Sequence, residues 1–264
     1  MMNFQEFLLS IGVRKKQNLL IHSSFKKILL AFPDITPAQV IDILKEVISS
    51  EGSIIFPTFT YCFKKSKGEF DVFDSKNSKS KVGILSEVFR LSNDVIRTSS
   101  ATHSFALWGN ITREIAYSNS PQSPLGKGSV LDLLTSKTDS YVLMLGTDFS
   151  SLSYGHYLEI ISKVPWFDFS PWNYLDVLPI GVSVDGEQPL VEIPGCSKSF
   201  VNFEKYLLNK NLINQKDYSG LKCCLISIEL LYKEGLKYFT ENYSNLLCPE
   251  NTCPACDSRR RKFL

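Results

Sequence analysis

Chemistry near neutral pH needs a group that gives or takes a proton there, and the chain has only three histidines, His22, His103 and His156. His156 is followed three residues later by Glu159. On a helix that spacing puts both side chains on one face, where the carboxylate can fix the imidazole tautomer and stabilise its cation. Alternatively, a His and a Glu at this spacing simply share a solvated helix face. His22-Ser23-Ser24 ends the first strongly apolar run. At a strand-to-helix junction, hydroxyls and backbone N–H groups make an anion site suited to phosphate or pyrophosphate, or else a serine pair that caps the helix. The stretch Arg97-Thr98-Ser99-Ser100-Ala101-Thr102-His103-Ser104 is dense in hydrogen-bonding groups. It can bind a ligand or form a polar turn.

Two familiar catalytic patterns are missing. Gly126-Lys127-Gly128-Ser129 lacks the first glycine of a phosphate-binding P-loop, so Walker-type nucleotide hydrolysis is not expected. No G-x-S-x-G elbow occurs, which weakens a serine-hydrolase reading. Cys248, Cys253 and Cys256 are spaced C-x4-C-x2-C and give three of the four ligands a structural zinc site needs. No fourth Cys or His lies nearby in sequence. Either Cys223 or Cys224 completes the set in space, or these are reduced free thiols.

Alternating strands and helices must position these residues. A helix is expected over 4–11 and a strand over 18–22 (NLLIH). Thr36 then serves as N-cap with Pro37 at the first helical position, and Val40, Ile41, Leu44, Val47 and Ile48 share one face. SIIFPTF is a strand stopped by Pro57, and residues 61–82 read as a long surface loop. Helical spacing resumes over 83–91. SFALWG is strand-like, SPLGKGS a loop, SVLDLLTS a helix and YVLML a strand, and SSLSYGHYLEIISK is a loop entering a helix. Asp185-Gly186 marks a hairpin, and 221–247 reads as one long helical stretch. The fold class is therefore α/β, a single domain over 1–264 with a central mixed sheet flanked by helices and a Cys/Arg-containing tail over 248–264.

Composition narrows the partners. Twenty-nine Lys+Arg against 27 Asp+Glu leave a net charge of +2, too balanced for a general nucleic-acid binder. Eighteen Phe and 11 Tyr supply enough apolar surface to exclude disorder. There is no run of 18 apolar residues to span a membrane, and the N-terminal stretch lacks the basic start of a signal peptide. Seven cysteines without an export signal fit reduced thiols in a cytoplasm.

Read in order, the blocks LLIHSSFKKI, GSIIFPTFT, FDVFDSKNSKSKVGILSEVFR, RTSSATHSFALWG, SPLGKGSVLDLL and YVLMLGTDFSSLSYGHYLE resemble the aminoglycoside 3-N-acetyltransferase family of acetyl-CoA-dependent enzymes. The resemblance runs from about residue 16 to the C-terminal helix. It implies that family's fold, with acetyl-CoA as co-substrate, no metal in the reaction, and an amine-bearing sugar as acceptor. It also implies a general base at His156 of a T-x-x-H-x-x-E motif, with Glu159 orienting it and Ser153 in the Thr place. Coenzyme A contacts are implied for the turn Ser23-Ser24-Phe25-Lys26 and for Thr102-His103-Ser104-Phe105. A homodimer is compatible with this reading.

This chain departs from the family in two places. The R-S-x-H-P-x-x-S pattern has lost its His-Pro pair between Arg97 and Ser104. The acceptor side lacks clustered acids, and residues 64–81 carry six lysines. A polycationic antibiotic favours an acidic cleft, so a nucleotide-linked biosynthetic amino sugar fits better. Three other readings remain: an aminoglycoside-antibiotic 3-N-acetyltransferase that confers resistance, a non-catalytic relative, and a thioester or amide hydrolase using a Ser-His-Glu set.

Overall fold

The computed structural model of the chain describes residues 2–115 and 120–264. Three parallel strands form its centre: β1 (Asn18–Ser23), β2 (Ser53–Pro57) and β6 (Ser140–Leu145). The full sheet has seven strands in the order β4-β5-β2-β1-β6-β10-β9, with β4 (Ile96–Arg97), β5 (Phe105–Gly109), β9 (Lys216–Tyr218) and β10 (Leu221–Ser227) all added antiparallel. The sheet is mixed and helices cover both faces, as expected.

The central strands are covered on both sides, which is why NLLIH, SIIF and YVLML are near-continuous apolar runs rather than alternating ones. Successive residues serve opposite cores. Leu20, Ile55, Val142 and Met144 pack with α5 (Val130–Ser136), α6 (Ser153–Ile161), α7 (Val201–Asn209) and α8 (Ile228–Glu241). Leu19, Ile21, Ile54, Phe56, Leu143 and Leu145 pack with α1 (Phe4–Ser10), α2 (Phe25–Ala31), α3 (Pro37–Ile48) and α4 (Ile84–Arg90). α3 starts as its sequence dictates. Thr36 Oγ1 accepts from the Gln39 N–H at 3.2 Å, and Gln39 Oε1 accepts in return from the Thr36 N–H at 2.8 Å. All five residues of its apolar stripe are buried.

Two expectations are corrected. Residues 221–247 are not one helix. Leu221–Ser227 is strand β10, paired antiparallel with β6 from Cys223↔Leu145 to Ser227↔Tyr141, and α8 begins only at Ile228. Ser227 marks the switch, since its hydroxyl accepts from the Leu230 N–H at 3.1 Å as an N-cap. Nor is 61–82 a simple loop. Its strand β3 (Phe63–Lys65) joins the hairpin of β7 (Val177–Ser183) and β8 (Gly186–Pro189) in a second, three-stranded sheet. Phe73 is buried against it, and Arg97 donates to the carbonyls of Ser78 and Thr58 at 2.6 Å each. A carbonyl clamp of this kind is set by tertiary contact and leaves no periodic trace in sequence.

α6 approaches its neighbours closely because position 155 has no side chain. A methyl on Gly155 would overlap the ring of Phe200, which is fully buried between His156 and Phe239 and has nowhere to retreat. Gly155→Ala should therefore destabilise the protein by about 1–3 kcal/mol, the usual penalty of overpacking, despite the better helix propensity of alanine. Thermal unfolding of the variant checks this, and an unchanged or higher melting temperature would contradict the packing described.

Candidate active site

A cleft of about 590 Å³ opens where the parallel strands end. His22 and Ser23 at the end of β1, Pro57 at the end of β2 and Thr147 just past β6 all line it. This is the place where an open α/β sheet binds ligands, because loops diverge from the carboxyl ends of parallel strands. The rest of the lining includes the first turns of α6, with Ser153 and His156, and residues 194–198.

His156 and Glu159 share one face of α6, as their spacing predicts. His156 Nδ1 lies 2.8 Å from Glu159 Oε2. When the ring is neutral, a carboxylate there accepts the Nδ1 proton and so favours the tautomer whose Nε2 carries the free lone pair, on a ring that lines the cleft. Glu159 is only 4% exposed, and two further groups serve its other oxygen. Trp166 Nε1 donates to Oε1 at 3.2 Å, and Arg259 Nη1 stands 3.7 Å away. Burial pushes the Glu159 carboxyl up, but the bond to His156 and the charges of His156 and Arg259 outweigh it and hold the group below the ordinary range. Glu159 is thus a charged, fixed partner for the imidazole.

Ser153 sits one turn before His156. Both its hydroxyl and its backbone N–H lie close to His22 Nε2, at 3.3 and 3.4 Å. No local pattern signals this pairing, since residues 22 and 153 meet only because β1 and α6 converge on one cleft. Burial lowers His22 to about 3, and it lowers His103 to about 3 as well, with the His156 charge adding to the shift there. Both rings are therefore neutral at neutral pH.

The residues expected at coenzyme A divide. Ser23 and His103 line the cleft. Ser24 precedes α2 and spends its N–H on the Leu145 carbonyl at 2.9 Å, Phe25 packs into the core, and Lys26 is exposed on α2 outside the cleft lining. Thr102 and Ser104 are buried, with Ser104 accepting from Arg97 Nε at 3.0 Å and donating to the Thr58 carbonyl at 2.9 Å. Phe105 belongs to the core. His103 stands among Phe59, Tyr61 and Phe63, with ring centroids 4.8, 5.5 and 6.0 Å away. Those three aromatics form an apolar wall that sequence reading missed, although the alternation F-x-Y-x-F over 59–63 was there to see.

Charge in the cleft is one-sided. Among the described residues that line it there is no carboxylate, and Lys198 is its one Lys or Arg. A second hollow of about 360 Å³ shares Tyr61, Phe63 and Val177 with the cleft and adds Lys65, Lys81, Glu69 and Asp71. The lysine-bearing segment therefore borders the cleft. Lys81 is paired with Asp71 at 2.7 Å.

Comparison with known proteins agrees with the fold. The aminoglycoside 3-N-acetyltransferase family model matches residues 20–240. A curated relative, the SPbeta prophage-derived aminoglycoside N(3')-acetyltransferase-like protein YokD of Bacillus subtilis (strain 168), is 27% identical over 179 residues, 61% of this chain and 64% of that protein's length. The apoenzyme of aminoglycoside acetyltransferase AAC(3)-IVa superposes with a TM-score of 0.79 at 23% identity, covering 96% of this chain and 94% of that one. AAC-IIIb in binary complex with CoASH does so at 0.71 and 16%, covering 89% and 94%. The chain belongs to the aminoglycoside 3-N-acetyltransferase family.

The buried histidines fix a pH dependence. Unfolded, a histidine takes up its proton near pH 6.5, whereas folded His22 does so only near 3. The unfolded state binds more protons between those values, so stability falls as the pH drops through that window, by up to about 1.4 kcal/mol per pH unit for each such group. Urea unfolding of His22→Gln and wild type at several pH values below 6.5 should give a shallower loss for the variant. Parallel curves would mean that His22 is not buried neutral.

Proposed function

We propose that the chain transfers the acetyl group of acetyl-CoA to the amine of an amino sugar, with His156 as general base. The observation that carries this is the His156–Glu159 pair, with one imidazole nitrogen held by a buried carboxylate and the ring lining the cleft. The family and the CoASH complex of AAC-IIIb support the co-substrate.

The amine must shed a proton as its nitrogen attacks the thioester carbon. Nε2 of His156 accepts that proton, and Glu159 stabilises the imidazolium that forms, a combination worth about 10²- to 10⁴-fold in rate. The tetrahedral oxyanion needs donors in place before the reaction, a role that fits the Ser153 hydroxyl. Collapse breaks the carbon–sulfur bond, and the departing thiolate takes the proton from His156 to leave free coenzyme A. The apolar wall of Phe59, Tyr61 and Phe63 suits the pantetheine and acetyl groups. For the phosphates, Ser197 and Lys198 offer a hydroxyl and a cation at the cleft edge, and the turn Ser23-Ser24-Phe25-Lys26 is the second candidate, with Ser23 in the lining and Lys26 exposed beside it.

For the acceptor, the acid-free cleft favours a singly charged amine, and we extend this to a nucleotide-linked amino sugar whose diphosphate meets the neighbouring lysines. A polycationic aminoglycoside, which the family's name favours, would find no carboxylate among the described residues lining the cleft.

His156→Ala should reduce amine-dependent release of free coenzyme A by at least about 10²-fold, while coenzyme A affinity changes only a few-fold. Glu159→Gln should cost less, because the base survives. More than about a tenth of the wild-type rate in His156→Ala would remove it as the base, and thiol release without any amine would make the protein a hydrolase.

Titrating coenzyme A calorimetrically into Lys26→Ala and Lys198→Ala at two salt concentrations separates the two phosphate positions. The variant that touches phosphate should bind more weakly and with a flatter salt dependence. Side-by-side kcat/KM for amino-sugar nucleotides and for kanamycin-like antibiotics then decides the acceptor. A higher value for the antibiotic would sink the nucleotide-sugar reading and leave the acetyl transfer intact.

A further inference from the structure

Far from the catalytic pair in sequence, four thiols meet in space. Cys196 in the cleft wall, Cys248 after α8, and Cys253 and Cys256 at the start of α9 (Pro254–Phe263) place their sulfurs all within 4.8 Å of one another. Cys196 Sγ and Cys248 Sγ are 3.6 Å apart. The fourth member is thus Cys196. Cys223 and Cys224, the expected candidates, are buried in strand β10 instead and are not part of the cluster.

We propose that these four cysteines bind a structural zinc ion. Zinc takes thiolate ligands at about 2.3 Å in a tetrahedron, whose sulfur–sulfur edge is then about 3.8 Å. The observed spacing needs only small adjustments to reach it. None of the four is in a disulfide, and three are buried. The C-x2-C turn of Cys253 and Cys256 is the chelating half of many such sites. All-sulfur ligation selects zinc or iron, and four protein ligands leave no open position for chemistry. On binding, the thiols release their protons and the ion joins three segments that share no strand pairing.

What the ion would hold matters to the cleft. Cys196 is itself a cleft residue, next to Ser197 and Lys198. α9 carries Arg259, which is 2% exposed, donates to the Ile193 carbonyl at 2.9 Å and reaches Glu159. Its guanidinium packs on Gly195, where any side chain would collide with it. The cluster and Arg259 together pin α9 to residues 193–198. A tetrathiolate zinc carries two net negative charges, a counter-charge for a helix that holds Arg259, Arg260, Arg261 and Lys262.

The test is metal analysis of the full chain purified under reducing conditions, with zinc supplied and no chelator. About one zinc per chain is expected, retained in Cys62→Ser and lost in Cys253→Ser and Cys256→Ser. Should those two variants fail to fold, the wild type still decides. Replacing its zinc by Co2+ should give the sulfur-to-metal charge-transfer and intense d–d bands of a tetrahedral tetrathiolate. Stripping the ion should speed amide hydrogen exchange across 254–263. Zinc-free protein with all thiols titratable, a disulfide within the cluster, bound iron, or an octahedral cobalt spectrum would each overturn the proposal. None of these readouts depends on acetyl transfer.

Discussion

A carboxylate that is 4% exposed governs the site. An isolated buried charge costs several kcal/mol unless partners replace its water, so Glu159 must be met on every side. Three separate parts of the chain supply those partners: the same helix through His156, the segment after it through Trp166, and α9 through Arg259. Trp166 is fully buried and its ring also packs near the Arg259 guanidinium. The orientation of the imidazole is therefore not a local property of α6. It depends on a shell assembled from distant sequence.

That dependence explains what could be read from the sequence and what could not. Short-range signals were legible: Thr36 as N-cap with Pro37 after it, the apolar stripe of α3, the strand YVLML, and the spacing that brings His156 to Glu159. Each is settled within a few residues. Long-range pairings were not. LKCCLIS has no decisive period, and its identity as β10 follows from lying beside β6. His22 beside Ser153, Arg97 across two carbonyl-bearing segments, and Cys196 joining three cysteines more than fifty positions on are all products of convergence. The expected coenzyme A residues show the same division. Ser23 and His103 reach the cleft, while Thr102, Ser104 and Phe105 serve the interior beside it.

The two sheets divide the labour of the cleft. The parallel centre of the large sheet delivers His22 and Ser23 on a rigid strand and Thr147 just beyond another, and α6 sets His156 near them. The small sheet, through β3 and β7, contributes Phe63 and Val177. One side is thus built for fixed geometry, the other from a segment held by a short hairpin and by side chains of Arg97, Arg90 and Glu87. Differences in acceptor among relatives of this fold would most readily be written into that second side, where substitutions leave the His156–Glu159 pair undisturbed.

The placement of Arg259 has a consequence for how the molecule is made. A ribosome delivers residues in order, so the central strands and α6 emerge and can collapse well before α9 exists. Until then Glu159 lacks its guanidinium partner and the loop at 193–198 lacks its brace. The large sheet can form during synthesis, but the histidine's surroundings mature only when the downstream helix docks. A chain lacking α9 would keep the pairings of the large sheet yet leave the buried Glu159 carboxylate without a neighbouring guanidinium.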